Sequence, residues 1–191
     1  LAPKFLMTIQ ETGTIERSGM GGVDEYSQFT LGGALAAGYD FWPQYLVPLR
    51  VELEYALRGN SEKSWNYGRG MDFKGAWNAS TLFLNLYYDF RNSTAFVPYI
   101  GAGIGLSFNY LGFDLHRDGS AVSRDESTTN FAWNVGAGVA YNVNDALYID
   151  AAYRYVDLGY TEASGALNGD QIKVGSRPYN HEFMLGLRFA F

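Results

Sequence analysis

Residues 179–191, Tyr-Asn-His-Glu-Phe-Met-Leu-Gly-Leu-Arg-Phe-Ala-Phe, restrict this chain more than any other stretch. Read with period two, they place Phe183, Leu185, Leu187, Phe189 and Phe191 on one face and Glu182, Met184, Gly186, Arg188 and Ala190 on the other. Such alternation belongs to a β-strand with one apolar face. A strand this apolar either pairs with the first strand of a closed barrel or leaves a hydrophobic edge of the kind soluble proteins avoid. It is therefore expected to close a transmembrane β-barrel.

The same pattern recurs along the chain. Phe5, Met7 and Ile9 share a face in residues 4–10, as do Phe29, Leu31, Leu35, Tyr39 and Phe41 in 29–41. Leu49, Val51, Leu53 and Tyr55 follow, then Leu82, Leu84, Leu86, Tyr88 and Phe90, and then Ile100, Ala102, Ile104, Leu106 and Phe108. Phe131, Trp133, Val135, Val139 and Tyr141 form the next face, and Leu147, Ile149, Ala151, Tyr153 and Tyr155 the one after it. With the closing strand this makes about eight strands. Short turns at 42–48, 91–94 and 142–145 alternate with long Gly-rich and polar loops at 11–27, 59–76, 111–128 and 159–178, the asymmetry between the periplasmic and extracellular ends of outer-membrane barrels. Tyr39-Asp40-Phe41, Tyr88-Asp89-Phe90 and Tyr141-Asn142-Val143 each end a descending strand. Their spacing, roughly 50 residues, makes the hairpin the repeating unit.

Composition supports the barrel by exclusion. The 191 residues suffice for one domain, 1–191, and only 18% of them are charged, below the roughly 25% of an ordinary soluble domain. Mean hydropathy is −0.16 and no apolar run reaches the roughly 18 residues of a spanning helix, which leaves a barrel as the way to cross a bilayer. There is no cysteine, and the net charge is −6, so thiolate chemistry is excluded and nucleic acid is not an expected partner. The opening Leu1-Ala2-Pro3-Lys4 has no charged and apolar leader, so an export signal is expected to have been removed or never included.

A lipocalin-like soluble barrel would turn the apolar faces inward. The opposite faces decide between the two, because they carry Gly101, Gly103, Gly105, Gly136 and Gly138 where a wetted strand would carry Lys, Thr and Glu. Small residues suit a lumen that side chains only just fill. These faces also hold Lys4, Arg50, Arg58, Arg154 and Arg188 against Asp40, Glu52, Glu54, Asp89, Asp150 and Glu182, a nearly balanced set able to pair internally. Facing lipid at the midplane, each basic residue would cost about 2–4 kcal/mol. The charges are therefore expected inside, with Leu, Phe and Tyr against lipid and aromatics in girdles at both ends.

Tyr88-Asp89-Phe90, Pro98-Tyr99-Ile100-Gly101-Ala102-Gly103, Asn134-Val135-Gly136-Ala137-Gly138, Ile149-Asp150-Ala151-Ala152-Tyr153-Arg154-Tyr155 and the terminal Phe191 together resemble the opacity-type outer-membrane barrel family, akin to small OmpA/OmpX-like barrels. The resemblance runs from the second strand to Phe191. It implies an all-β, eight-stranded antiparallel up-and-down barrel with four long extracellular loops and short periplasmic turns, in the bacterial outer membrane. Members include adhesins and surface antigens, and the terminal aromatic strand resembles the signal read by the outer-membrane assembly machinery, which assigns that role to Phe189 and Phe191.

The expected function is loop presentation for adhesion, as a surface antigen or to an envelope partner, around a filled, non-conducting lumen. No enzyme activity, cofactor or metal is expected, and the partners are the bilayer, lipopolysaccharide, the assembly machinery and a protein met through the loops. Arg50, Glu52, Glu54, Asp89, Asp150, Arg154, Glu182 and Arg188 are the expected lumen network. Trp65, Tyr67, Arg69 and Lys74 in the second loop, with Tyr110, Phe113, Arg117 and Arg124 in the third, are of the types that dominate interface energies. A narrow passive pore is one alternative. A lipid-modifying enzyme is another: it would bring Asp157 and His181 together at the outer rim as an oriented base, but needs a serine nucleophile, and no His-x-Ser occurs at His181 or His116.

Overall fold

The computed structural model describes the backbone of residues 1–11, 16–17, 27–59, 61–66, 71–117, 120–167 and 170–191, and the side chains of 1–11, 27–59, 78–109, 127–160 and 177–191. In chain order the elements are β1 (Ala2–Glu11), β2 (Glu16–Arg17), β3 (Ser27–Asp40), α1 (Trp42–Tyr45), β4 (Leu49–Arg58), β5 (Ser61–Asn66), β6 (Met71–Asp89), β7 (Phe96–Arg117), β8 (Ser120–Asn144), β9 (Leu147–Asp157), β10 (Thr161–Leu167), β11 (Asp170–Ser176) and β12 (Tyr179–Phe189). Eight of them, β1, β3, β4, β6, β7, β8, β9 and β12, pair antiparallel with their neighbours, and β12 returns to β1 with Phe5 opposite Leu185 and Ile9 opposite His181. The sheet is thus a closed up-and-down barrel. Closure removes the edge from which a sheet unzips, so folded protein should migrate apart from boiled protein on a detergent gel. A single band at both temperatures would contradict closure.

Alternation sets the two faces. Phe5, Leu35, Leu53, Leu84, Ile104, Val135, Ile149 and Leu185 are exposed on the outside, whereas Leu6, Thr8, Ala36, Glu54, Phe83, Ala132, Arg154 and Glu182 are buried in the lumen. Each short turn is held by an Asp or Asn whose side chain accepts from the backbone N–H two residues on, a local bond these residues favour. Asp40 Oδ1 accepts from Trp42 N at 2.9 Å, Asn92 Oδ1 from Thr94 N at 2.8 Å and Asn144 Oδ1 from Ala146 N at 2.9 Å. The third turn is shorter than its sequence suggests, because β8 continues through Asn144 with a register irregularity between Asn142 and Asn144.

The long loops differ more from expectation. Residues 71–89 and 96–117 are single strands, and β7 pairs with β8 without a break from Phe96↔Tyr141 to Arg117↔Ser120. β5 pairs with β6 over Ser61↔Trp77 to Asn66↔Asp72. β10 and β11 form a separate hairpin that reaches β2 through Val174↔Arg17 and Gly175↔Glu16. Much of the second, third and fourth loops is thus extended ribbon, stabilised by its own cross-strand bonds although its polar composition reads as irregular chain.

Candidate functional site

Inside the barrel the glycine stripe makes room for large inward side chains. An added Cβ at Gly101 would sit 2.3 Å from the Tyr87 ring, and one at Gly138 would sit 2.5 Å from the Tyr99 ring. At Gly103 it would meet the Asn85 side chain, which accepts from Asn134 Nδ2 at 2.9 Å. Tyr87 and Tyr99 cross edge to face at 5.6 Å, and the Arg50 guanidinium lies 4.3 Å and 5.2 Å from their centroids, within cation–π range.

The charged side chains join into one alternating chain. Arg91 donates to Asp40 at 2.5 Å and to Asp89 at 3.2 Å, and Asp89 faces Arg50 at 3.4 Å. Arg50 also donates to Glu52. Lys4 sits between Glu52, at 2.8 Å, and Glu54, at 2.6 Å. Arg154 bridges Glu54 at 2.5 Å and Glu182 at 2.6 Å, and Glu182 accepts from Arg58 at 2.6 Å. Five acids and five bases therefore run from the turn end to the loop end, with no net charge. Arg50 and Arg58 stand eight residues apart on β4, about 27 Å of strand and about 20 Å of height at a typical tilt of about 40°. That is close to the roughly 25 Å apolar band of such a barrel.

Asp150 and Arg188 stand apart, 3.7 Å from each other with the guanidinium 4.5 Å over the Tyr148 ring. Between the two groups lies a cavity of about 20 Å³ lined by Lys4, Arg50, Glu52, Tyr87, Tyr99 and Asp150 among others, room for one water. The eight residues singled out from the sequence as a network all face the lumen. Lys4 and Arg58, absent from that set, share its parity and could have been included. Arg91 carries no such signal, because it belongs to a turn and reaches back under the barrel.

Asp157 and His181 do not meet. Register places Asp157 opposite Tyr179 and His181 opposite Tyr155. Asp157 accepts from Arg177 Nε at 2.9 Å and from Gly159 N at 2.9 Å, where the chain leaves β9 with Gly159 at a positive φ of 81° that suits a residue without a Cβ. His181 Nδ1 instead lies 2.6 Å from the Tyr153 hydroxyl. An acid–imidazole pair, the first requirement of the enzyme alternative, is therefore not formed between these two residues.

Phe189 N donates to Leu1 O at 2.8 Å, and Phe189 and Phe191 are exposed. Among the loop candidates, Trp65 lies on β5, Lys74 on β6, Tyr110, Phe113 and Arg117 on β7 and Arg124 on β8, with side chains outside the described set; Tyr67 and Arg69 lie outside the described residues altogether.

Residues 10–191 match the family described as "Outer membrane protein beta-barrel domain". The chain is 35% identical over 173 residues to outer membrane protein PagN of Salmonella typhimurium, covering 84% of this chain and 72% of that one. It is 26% identical over 166 residues to the Rickettsia conorii protein named "Putative adhesin RC1281", covering 82% of this chain and 66% of that one. The crystal structure of Neisserial surface protein A superimposes with a TM-score of 0.51 at 23% identity, over 98% of this chain and 97% of that one, a likeness of fold. The chain belongs to the outer-membrane β-barrel domain family and resides in the bacterial outer membrane.

Proposed function

We propose that this barrel is a rigid, plugged pedestal whose extracellular ribbons make contact with a partner in the manner of an adhesin. The observation that carries this reading is the unbroken ion-pair chain with its aromatic neighbours. It occupies the lumen from Asp40 to Arg58, and the space beside Lys4 is only water-sized, which disfavours passage of solutes. Side chains on the barrel wall are committed to lipid or lumen, so recognition falls to the ribbons, as is usual for loops on a rigid scaffold. The name of the Rickettsia relative points the same way.

The contact residues in this reading are Trp65, Tyr67, Arg69 and Lys74 with Tyr110, Phe113, Arg117 and Arg124. Lipopolysaccharide surrounds the outer rim, the assembly machinery reads Phe189 and Phe191, and no reaction is catalysed. Replacing residues 60–77 and 110–126 with short Gly-Ser turns should preserve the boiling-dependent gel shift and abolish capture of a host-surface or envelope partner. If trimmed protein keeps its partner while a folded lumen variant loses it, recognition lies in the barrel. Single-channel recordings in planar bilayers should show no stable conductance; steady openings would favour the pore.

A further inference from the structure

Of the seven Lys and Arg residues whose side chains are described, Arg177 is the most exposed of those in ion pairs, and it lies at the loop end on the outer side of β12. Below it on that wall is an aromatic cluster centred on an imidazole. His181 is ringed by Tyr153, stacked at 6.0 Å, and by Tyr155 and Tyr179, each edge-on at 5.7 Å. Trp133 and Phe183 extend the cluster sideways and downward. Phe183 is exposed toward lipid, so the imidazole sits where apolar wall gives way to headgroups, the level at which amphipathic rings anchor.

The hydrogen bonds of this cluster leave donors outward. Asp157 has one oxygen on Arg177 Nε and the other on Gly159 N, and Glu11 accepts from the Tyr179 hydroxyl. His181 Nδ1 pairs with the Tyr153 hydroxyl, and in the tautomer in which that hydroxyl donates, the ring N–H is on Nε2. Nε2 has no protein partner among the described residues, and the Arg177 side chain is 63% exposed while its Nε is held by Asp157. Arg177 and His181 share an outward parity four residues apart, roughly 13 Å along the strand. With Glu11 and Asp157 close by, the cluster does not attract anions by net charge. It offers oriented N–H groups whose own acceptors are already engaged.

We infer that this wall, between Arg177 and His181, docks the phosphate-bearing headgroup of an outer-leaflet glycolipid. The acyl chains lie along Phe183 and Tyr153, and phosphate oxygens accept from the guanidinium and from Nε2–H. Charge-assisted bonds of this kind suit phosphate, and the tyrosine cage holds the imidazole so that little ordering is needed on binding.

The test uses the whole chain, folded into phosphatidylcholine nanodiscs with ¹⁵N-histidine; the sequence has only two histidines, and His181→Phe identifies which signals belong to His181. Lipid A carrying its phosphates should shift the His181 ring resonances, whereas dephosphorylated lipid A and inorganic phosphate should not. Arg177→Gln should weaken binding of phosphorylated lipid A about fivefold, the worth of one hydrogen bond, with the gel shift unchanged. An absent shift, an equal shift with the dephosphorylated lipid or with inorganic phosphate, or undiminished binding by the Arg177→Gln protein would each overturn the inference.

Discussion

Replacing Arg154 by methionine should lower the unfolding free energy by about 3–5 kcal/mol, the range for removing one partner from a buried ion pair. Arg154 is 2% exposed and reaches from β9 across the lumen to Glu54 on β4, while holding its cross-strand neighbour Glu182 on β12. The variant leaves two buried carboxylates with one cation each, Lys4 for Glu54 and Arg58 for Glu182, and the ten-residue chain with a net charge of −1. Adding Glu54→Gln restores the balance and should recover a good part of the loss. Urea midpoints of the single and double variants in lipid provide the comparison. A change below about 1 kcal/mol, typical of an exposed pair, would mean that water solvates the lumen.

The second large effect should come from Gly105→Ala. Its Cβ would stand 2.0 Å from Leu82 O and 2.9 Å from Phe83 Cα, both backbone atoms of the paired strand, so the strands themselves must part. Overpacking of this kind costs about 1–3 kcal/mol, occasionally more. At Gly103 the obstacle is the Asn85 and Asn134 side chains, which can turn aside for about the worth of one hydrogen bond, about 1 kcal/mol. Gly33, on the outer face, would meet nothing closer than 3.7 Å and serves as the control. Thermal midpoints should therefore fall in the order Gly105, Gly103, Gly33, the largest drop first. Equal drops would show that the stripe does not act through close approach.

The barrel was legible because a bilayer imposes a strict rule, apolar outside and small or paired inside, on every residue of every strand. Leu53 and Glu54 could be assigned to opposite faces with no knowledge of their neighbours. Partnership across the lumen was not legible in the same way. Whether Glu54 meets Lys4, Arg58 or Arg154 depends on register and shear, which the period-two pattern does not contain. The rim depends on the same register: Asp157 stands opposite Tyr179, two residues short of His181, so it pairs with Arg177 and leaves His181 to Tyr153. The ribbons escaped because Gly, Ser and Asp are read as loop residues, although antiparallel pairing between 111–117 and 120–126 satisfies their backbone.

The last rung that β8 shares with β9 is Trp133↔Asp157, and beyond it β8 pairs only with β7. Below that rung, one inserted residue would turn every following lumen side chain toward lipid. Above it, residues added at the tip of the β7–β8 hairpin lengthen the ribbon and leave each lower rung in place. The molecule thus has a boundary at Trp133 between a part whose length is locked by the thickness of the membrane and a part free to grow or shrink. Length polymorphism among kindred chains should accumulate on the far side of that boundary, so that the presented surface can be rewritten without renegotiating the architecture beneath it.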